Sequence, residues 1–521
     1  MEALIESADL KRARVPLKWY SFNPKPVVPE PLDLVRPSIS PLWFVGLIAF
    51  IALRLVFWLK AFPNSDEAYY WLWGQHLQWS YYDHPPLQAW VQGAFAAWLG
   101  RSEFVLRLPN LFTNIIFFYT YYCIAAYLYP KQTPKRFWLS VLLVLASPLY
   151  FVFLGLAWHD HLLITFSLVS AYQFTRFADG VIANGRGETG HLYFAAGAIA
   201  LAGLSKYNAI FVVFGFFATI VVVPGLRRLL VDRRLYIAAI IAMSALIPIV
   251  VWNYSNDFQS LQYYVNRSVN PVAGGIKIGA CLGFLGASYF LVSPFYWNGF
   301  FRVLRNRTRL KEITSVYPIV AFWIFLISSV ILTIVSLISA ALYYWNITAY
   351  ILLFPLLPFV FSKRPPLSAL LYGLLISSLV VIHYTVLPLS AFLDQSVDPD
   401  SRMLFGWREV ASEVTKQAKN LGEPPLLITT DYRSASALAY ELNNKDVIAV
   451  SDRIDQFDFW HPDREKLQGK NAVIVWDDWH PATGKLLPKF DRVSEPITVP
   501  VTRFGILLKN YYIQKGYWYK P

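Results

Sequence analysis

The chain has 521 residues, is 56% hydrophobic and only 15% charged, and carries a formal net charge of +13. Soluble globular proteins average about 25% charged residues, so this composition excludes a string of soluble domains and indicates a polytopic membrane protein. The positive charge does not mark a nucleic-acid binder, because Lys and Arg sit in short turns between apolar runs, as membrane topology requires.

Residues 1–40 are polar, Pro-rich and basic, and read as a cytoplasmic tail without a cleavable signal. Pro41–Lys60 is the first apolar run and the expected signal anchor. A long aromatic, acid-bearing loop follows at 61–102. Further apolar runs lie at 104–128, 137–156, 162–177, 192–204, 210–223, 235–252, 276–296, 315–338, 347–361 and 367–387. At roughly twenty residues per crossing they predict about eleven spans. The runs 192–204 and 347–361 are short, and fit either thin or tilted spans or ends that unwind around a cavity. Cys123 and Cys281 lie inside apolar runs and form neither a disulfide framework nor a metal-type cluster.

With a cytoplasmic N-terminus, the turns rich in Lys and Arg fall on the cytoplasmic side. The turns holding Asp66 to Asp83, Asp160, Lys206, residues 253–267 and residues 343–346 then all fall outside. Residues 391–521 change character. Short apolar strands at 426–430, 447–450, 472–476, 497–501 and 506–513, with helical stretches at 407–420 and 433–442, predict a small α/β domain on the outer face. The expected fold class is therefore an α-helical polytopic membrane domain, 41–390, carrying a C-terminal α/β domain, 391–521.

Ionisable groups at span ends are costly and raise a functional question. Asp66 and Glu67 open the first outer loop, and Asp83-His84 close it, held by Pro85-Pro86. Asp160 stands between His159 and His161 at a span mouth. Carboxylates from separate loops on one face are able to share a reacting hydroxyl, one as base and one as orienter. Asp66 and Asp160 also suit helix N-caps. Lys206 fits either a snorkelling lysine or a compact charge for one lipid phosphate. Arg267 fits either a solvated loop arginine or a bidentate phosphate partner. Asp83 and His84 are adjacent ligand types without a spacing motif, which leaves a divalent ion open there. Asp477-Asp478 with His480 follow a strand but lack a Gly-rich phosphate cradle, and read as a surface turn. No nucleotide-binding, zinc-peptidase or hydrolase motif is present.

Four blocks occur in order: DEAYYWLWGQHLQWSYYDHPPLQAW, WHDHLLITF, GLSKYNAIF and PIVVWNYSNDFQSLQYYVNR. Together they resemble the GT-C membrane glycosyltransferases, in particular the lipid A aminoarabinose transferases and the galacturonosyltransferases of lipid A and lipopolysaccharide core. Protein O-mannosyltransferases are more distantly similar. The resemblance covers about residues 41 to 365, and the outer domain loosely. It implies a polyprenyl-phosphate-linked sugar donor, a glycolipid acceptor, no nucleotide cofactor, inversion at the anomeric carbon, and a multi-pass protein of the bacterial inner membrane with a periplasmic site. Asp66 and Asp160 match the family's two acidic positions, Lys206 and Tyr207 match the block near the donor phosphate, and Asn253 and Arg267 lie in the loop that closes over the donor in relatives. Beside these, Glu67 is a candidate catalytic carboxylate, Arg267 and His84 are candidate phosphate contacts, and Tyr69, Tyr82, Asn253 and Tyr344 are candidate pocket residues. The aminoarabinose transferases carry Glu-Lys-Pro-Pro where this chain has Asp83-His84-Pro85-Pro86, a departure that favours the galacturonosyltransferase branch and leaves a divalent ion at Asp83 open. Two other classes compete. A lipid-linked sugar transporter would show mid-span charges and inverted repeats, and neither is evident. A protein mannosyltransferase differs only in acceptor.

Overall fold

The computed structural model describes residues 40–269, 275–305, 313–339, 341–361, 367–394, 396–421, 424–461, 464–482 and 486–520. Residues 1–39 of the expected cytoplasmic tail, 1–40, and the basic residues at 307–311 and 363–364 lie outside the described residues.

Pro41–Lys60 (α1) is followed by a hairpin of helices rather than the expected loop: Ser65–Gln75 (α2) and Leu87–Leu99 (α3). The hairpin closes at Gly74 and Gly93, where a Cβ on Gly74 would stand 2.6 Å from the Gly93 nitrogen, so a side chain would force the two backbones apart. A reciprocal capping box starts α2. Asn64 Oδ1 accepts the Glu67 N–H at 2.9 Å, and Glu67 Oε2 accepts the Asn64 N–H at 3.2 Å. Asp66 is thus inside the first turn and is not the cap.

The bundle continues through Glu103–Leu128 (α4), Thr133–Leu145 (α5), Pro148–Phe153 (α6), His159–Asn184 (α7), Thr189–Ser205 (α8), Ile210–Val222 (α9), Arg233–Met243 (α10) and Leu246–Ser255 (α11). It is completed by Gln259–Val269 (α12), Ile278–Val292 (α13), Trp297–Arg305 (α14), Tyr317–Ile338 (α15), Ile347–Leu353 (α16), Leu357–Val360 (α17) and Leu367–Thr385 (α18). By length and apolarity the described residues hold five unbroken crossings, or up to eight if each bent helix pair is one span, against about eleven expected. The difference lies at α5–α6, α7 and α8. The first is interrupted at Ser147-Pro148, α7 carries polar residues along its length, and α8 has only 17 residues. Segment 343–360, which the sequence marked as short, does reach crossing length by joining 3-10 and α turns.

Beyond Pro399–Arg402 (α19) the chain builds a sheet. Helices Trp407–Lys419 (α20), Tyr432–Leu442 (α21) and Gln456–Trp460 (α22) accompany strands Leu426–Thr429 (β1), Ile448–Ala449 (β2), Ala472–Asp477 (β3), Phe490–Val493 (β4), Ile497–Arg503 (β5) and Ile506–Tyr519 (β6). The order is β2-β1-β3-β6-β4, with β5 also on β6; β1 pairs in parallel with β2 and β3, and β6 is antiparallel to β3, β4 and β5. Strand β4, FDRV, is too polar and short to show alternation and escaped the sequence reading. Asp477 corrects the surface-turn expectation: it is fully buried and pairs with Lys509 at 2.8 Å.

The sheet domain is seated on the α2–α3 hairpin by aromatic contacts. Tyr440 of α21 meets Trp71 and Phe62 with ring centroids 5.1 and 5.7 Å apart, and Tyr432 meets Tyr69 at 4.8 Å. One apolar cluster runs through both. The hairpin is therefore held between the membrane bundle and the sheet domain.

Candidate active site

Residues 154–157, between α6 and α7, form no regular structure and deliver His159-Asp160 to the site. Buried irregular backbone needs partners for every carbonyl. Leu154 O accepts from Asn110 and Asn114, Gly155 O from Trp58, Leu156 O from Asn110 and Ala157 O from Gln88. The Ala157 N–H donates to Glu67 Oε1 at 2.8 Å. Side chains of α1, α3 and α4 thus set where α7 begins. Trp158 occupies the cap position of α7, so Asp160 is not an N-cap either.

Glu67 is fully buried, and Arg107 of α4 grips it with two bonds, Nε to Oε1 at 2.9 Å and Nη2 to Oε2 at 2.6 Å. Arg107 also donates to the Ala61 carbonyl at the end of α1 at 2.7 Å. Both Glu67 oxygens are therefore occupied by Arg107, Ala157 and the capping box. Its expected place was in catalysis, but this geometry holds α1, α2, α4 and the 154–157 stretch together. Arg107, missed in the sequence, was detectable as an ionisable residue within the 104–128 run.

Asp160 and Lys206 meet. Lys206 caps the C-terminus of α8 in extended backbone, and its Nζ donates to both Asp160 oxygens at 2.8 and 2.9 Å. Both residues are buried. A cation suits a helix C-terminus, and here it does not snorkel. Lys206 Nζ also lies 4.6 Å from the Tyr344 ring centroid. Tyr344 in turn packs on Phe153 and Trp158.

Next to this pair stands a cluster of rings. His159 lies 4.3 Å from Tyr70 and 4.5 Å from His84, centroid to centroid. His159 is buried, and neither ring nitrogen has a hydrogen-bond partner among the described residues. Tyr264 of α12 donates to the Asp83 carbonyl and bonds His84 Nδ1 at 2.9 Å, while its ring packs edge-on against Tyr207 at 4.8 Å. His161 is fixed between Thr113 and Gln88 at 2.8 and 3.1 Å. Asn253 pins the α11–α12 turn, its side chain bonding Ile249 O and the Leu261 N–H. Arg267 lies in α12, with its side chain outside the described residues.

The sheet domain supplies the remaining wall. Asp66 is half-buried, and its carboxyl is pushed up to about 6, first by burial and then by Asp400, with Asp83 adding and Arg433 and Arg453 opposing. Ser65 donates to Asp400 at 2.8 Å. Tyr69 donates to Asp83 Oδ2 at 2.8 Å and accepts the Gln456 N–H at 2.9 Å. Gln456 Oε1 accepts the Tyr82 N–H at 2.8 Å. Asp400, Arg433 and Arg453 escaped the sequence reading because nothing local ties them to a loop more than 300 residues away.

Tyr69 engages Asp83 Oδ2 and Tyr264 engages His84 Nδ1, and no group of three or more His, Cys, Asp or Glu able to hold a metal occurs among the described residues.

Residues 83–252 match the family described as dolichyl-phosphate-mannose-protein mannosyltransferase. The chain is 26% identical over 399 residues to the lipid A galacturonosyltransferase RgtD of Rhizobium johnstonii, covering 73% of this chain and 77% of the relative. These matches are consistent with the GT-C branch of membrane glycosyltransferases. The fold of this chain is similar to that of ArnT from Cupriavidus metallidurans in two crystal structures, one lipid-bound and one apo. The undecaprenyl phosphate complex superposes with a TM-score of 0.62 at 13% identity, covering 91% of this chain and 98% of that one. The apo form gives 0.57 at 14% identity over 90% and 98%.

Proposed function

We propose that this transferase moves a sugar from a polyprenyl-phosphate donor to a glycolipid acceptor such as lipid A or lipopolysaccharide core, at the periplasmic face of a bacterial inner membrane and with inversion. The observation that carries the reading is the buried Asp160–Lys206 pair, joined to the helix that bears Asp66 by the His159–Tyr70 ring contact at 4.3 Å. The bound lipid of the ArnT structure supports a polyprenyl-phosphate partner.

An ammonium has three donors, and Asp160 takes two, leaving one for a phosphate oxygen. Lys206 so placed stabilises the charge that grows on the departing lipid phosphate. Asp66 accepts the proton of the acceptor hydroxyl as its oxygen bonds the anomeric carbon and the carbon–phosphate-oxygen bond breaks. A carboxyl near 6 is ionised at neutral pH yet basic enough for this task. Asp160 positions Lys206, Glu67 positions the loop that bears Asp160, and Tyr264 holds the Asp83-His84 turn. Tyr207, Arg267 and His84 border the donor phosphate, and Tyr69, Tyr82, Asn253 and Tyr344 shape the pocket.

The test is transfer from radiolabelled donor by purified full-length protein. Label should enter lipid, and Asp66→Asn should lose most transfer while still folding. Normal turnover of that variant would remove Asp66 from the mechanism. The family matched by residues 83–252 favours a second reading, transfer to protein, and label recovered in protein would select it.

A further inference from the structure

Strands β2 and β3 flank β1 on opposite sides, so the turns leaving their carboxyl ends diverge. They enclose a crevice of about 410 Å³. Open α/β sheets bind ligands at this place, outside the carboxyl ends of parallel strands where the strand order switches. Tyr432, Arg433, Arg453, Trp479 and His480 line it, together with Asp431 and Asp452.

The arginines are arranged for recognition. Arg433 lies over Tyr432 at 4.7 Å and over Trp479 at 4.8 Å, and Arg453 lies over Tyr432 at 4.5 Å. Ring faces orient guanidinium planes without using their N–H donors. Among the described residues Arg433 has only long ion pairs, 3.4 Å to Asp400 and 3.7 Å to Asp431. Asp431 spends its oxygens capping α21, on the Arg433 and Ser434 N–H groups. Arg453 is exposed and makes no ion pair among the described residues. Tyr432 packs on Tyr69 at 4.8 Å, and Arg433 faces Asp400, which accepts from Ser65, so the crevice borders the candidate active site.

We propose that this crevice is a subsite for an anionic group, phosphate or carboxylate, carried on a saccharide headgroup, with Arg433 and Arg453 as its fork and Tyr432 and Trp479 as its walls. The proposal rests on the glycosyl-transfer reading, which requires a saccharide to approach Asp66 from the outer side. The anion has two sources: a phosphate of the acceptor or a carboxylate on the transferred sugar.

Binding by the full-length protein in detergent separates them. One arm compares bisphosphorylated lipid A with its dephosphorylated form. The other compares polyprenyl-phosphate galacturonate with polyprenyl-phosphate galactose. The wild type should prefer the charged member of one pair, and Arg453→Gln should erase about tenfold of that preference, the scale of one or two charge-assisted hydrogen bonds. Arg453→Lys should keep part of it, because charge remains while the planar fork is lost. Loss in the lipid A arm assigns the subsite to the acceptor, and loss in the donor arm to the sugar. Unchanged affinities of a monodisperse Arg453→Gln for all four probes would overturn the subsite. Because binding is read apart from turnover, a wild type that binds in this Arg-dependent way but transfers no sugar would sink the transfer reading and leave the crevice standing.

Discussion

Adjacent carboxylates Asp66 and Glu67 should respond to amide substitution in opposite ways. Glu67→Gln keeps an acceptor for the Ala157 N–H but removes the charge that faces Arg107 across 2.6 and 2.9 Å in a fully buried setting. Breaking a buried pair on one side costs about 3–5 kcal/mol, because the remaining charge stays desolvated. The variant should unfold at clearly lower temperature in detergent. Where it remains folded, its turnover per folded molecule should stay within a few-fold of wild type. Asp66→Asn removes a half-buried charge that Asp400 and Asp83 already disfavour, so it should unfold no earlier than wild type at neutral pH while losing most transfer. The assay pairs thermal unfolding with single-turnover transfer at a temperature where both variants are folded. A Glu67→Gln protein with wild-type stability and no transfer would refute the holding role and return Glu67 to the chemistry.

Transfer should rise with pH through about 6 as Asp66 ionises, measured as kcat/KM against pH; a flat wild-type profile across that range would speak against Asp66 as base. The same carboxyl stands above its ordinary 3.8 in the folded state, so its contribution to stability is full below that pH and is lost as pH rises through about 6. Lys206→Met should destabilise by about 3–5 kcal/mol by stranding Asp160; adding Asp160→Asn should restore much of the unfolding temperature but not the transfer. In the sheet domain, burial alone would raise Asp477, but bonds from His480 and Lys509 take it down to about 2. Its stabilisation should be complete above pH 3.8 and fade as pH falls toward 2, an acid transition that Lys509→Met removes, read by near-UV circular dichroism.

Much of the site was legible residue by residue because ionisable groups at the ends of apolar runs stand out against their cost. Asp160 and Lys206 were visible this way, and they touch. What each group does was less legible. Glu67 and Asp66 are neighbours in sequence, yet one is tied to α4 and the other faces the sheet domain. By propensity Asp66 and Asp160 also suited helix caps, but propensity does not say where a turn begins, and Asn64 and Trp158 take those positions once Glu67 and the 154–157 stretch are bonded. Two expected spans differ from a plain lipid-facing helix in separate ways: α7 carries polar residues along a largely buried length, and α8, though apolar, has only 17 residues.

The amino-acid order alone determined that this is a many-helix membrane protein with a mixed α/β unit at its end. Apolar length and strand alternation are local properties, written in consecutive residues. It also determined which turns carry charge. Only the folded arrangement decided that Arg107 neutralises Glu67 from α4, that Asp160 holds Lys206, and that Arg433 and Arg453 complete the surroundings of Asp66 from the far end of the chain. Those choices depend on the cost of leaving a buried charge or carbonyl unpaired. That cost is settled by whichever group packs nearest in space, however distant it is along the sequence.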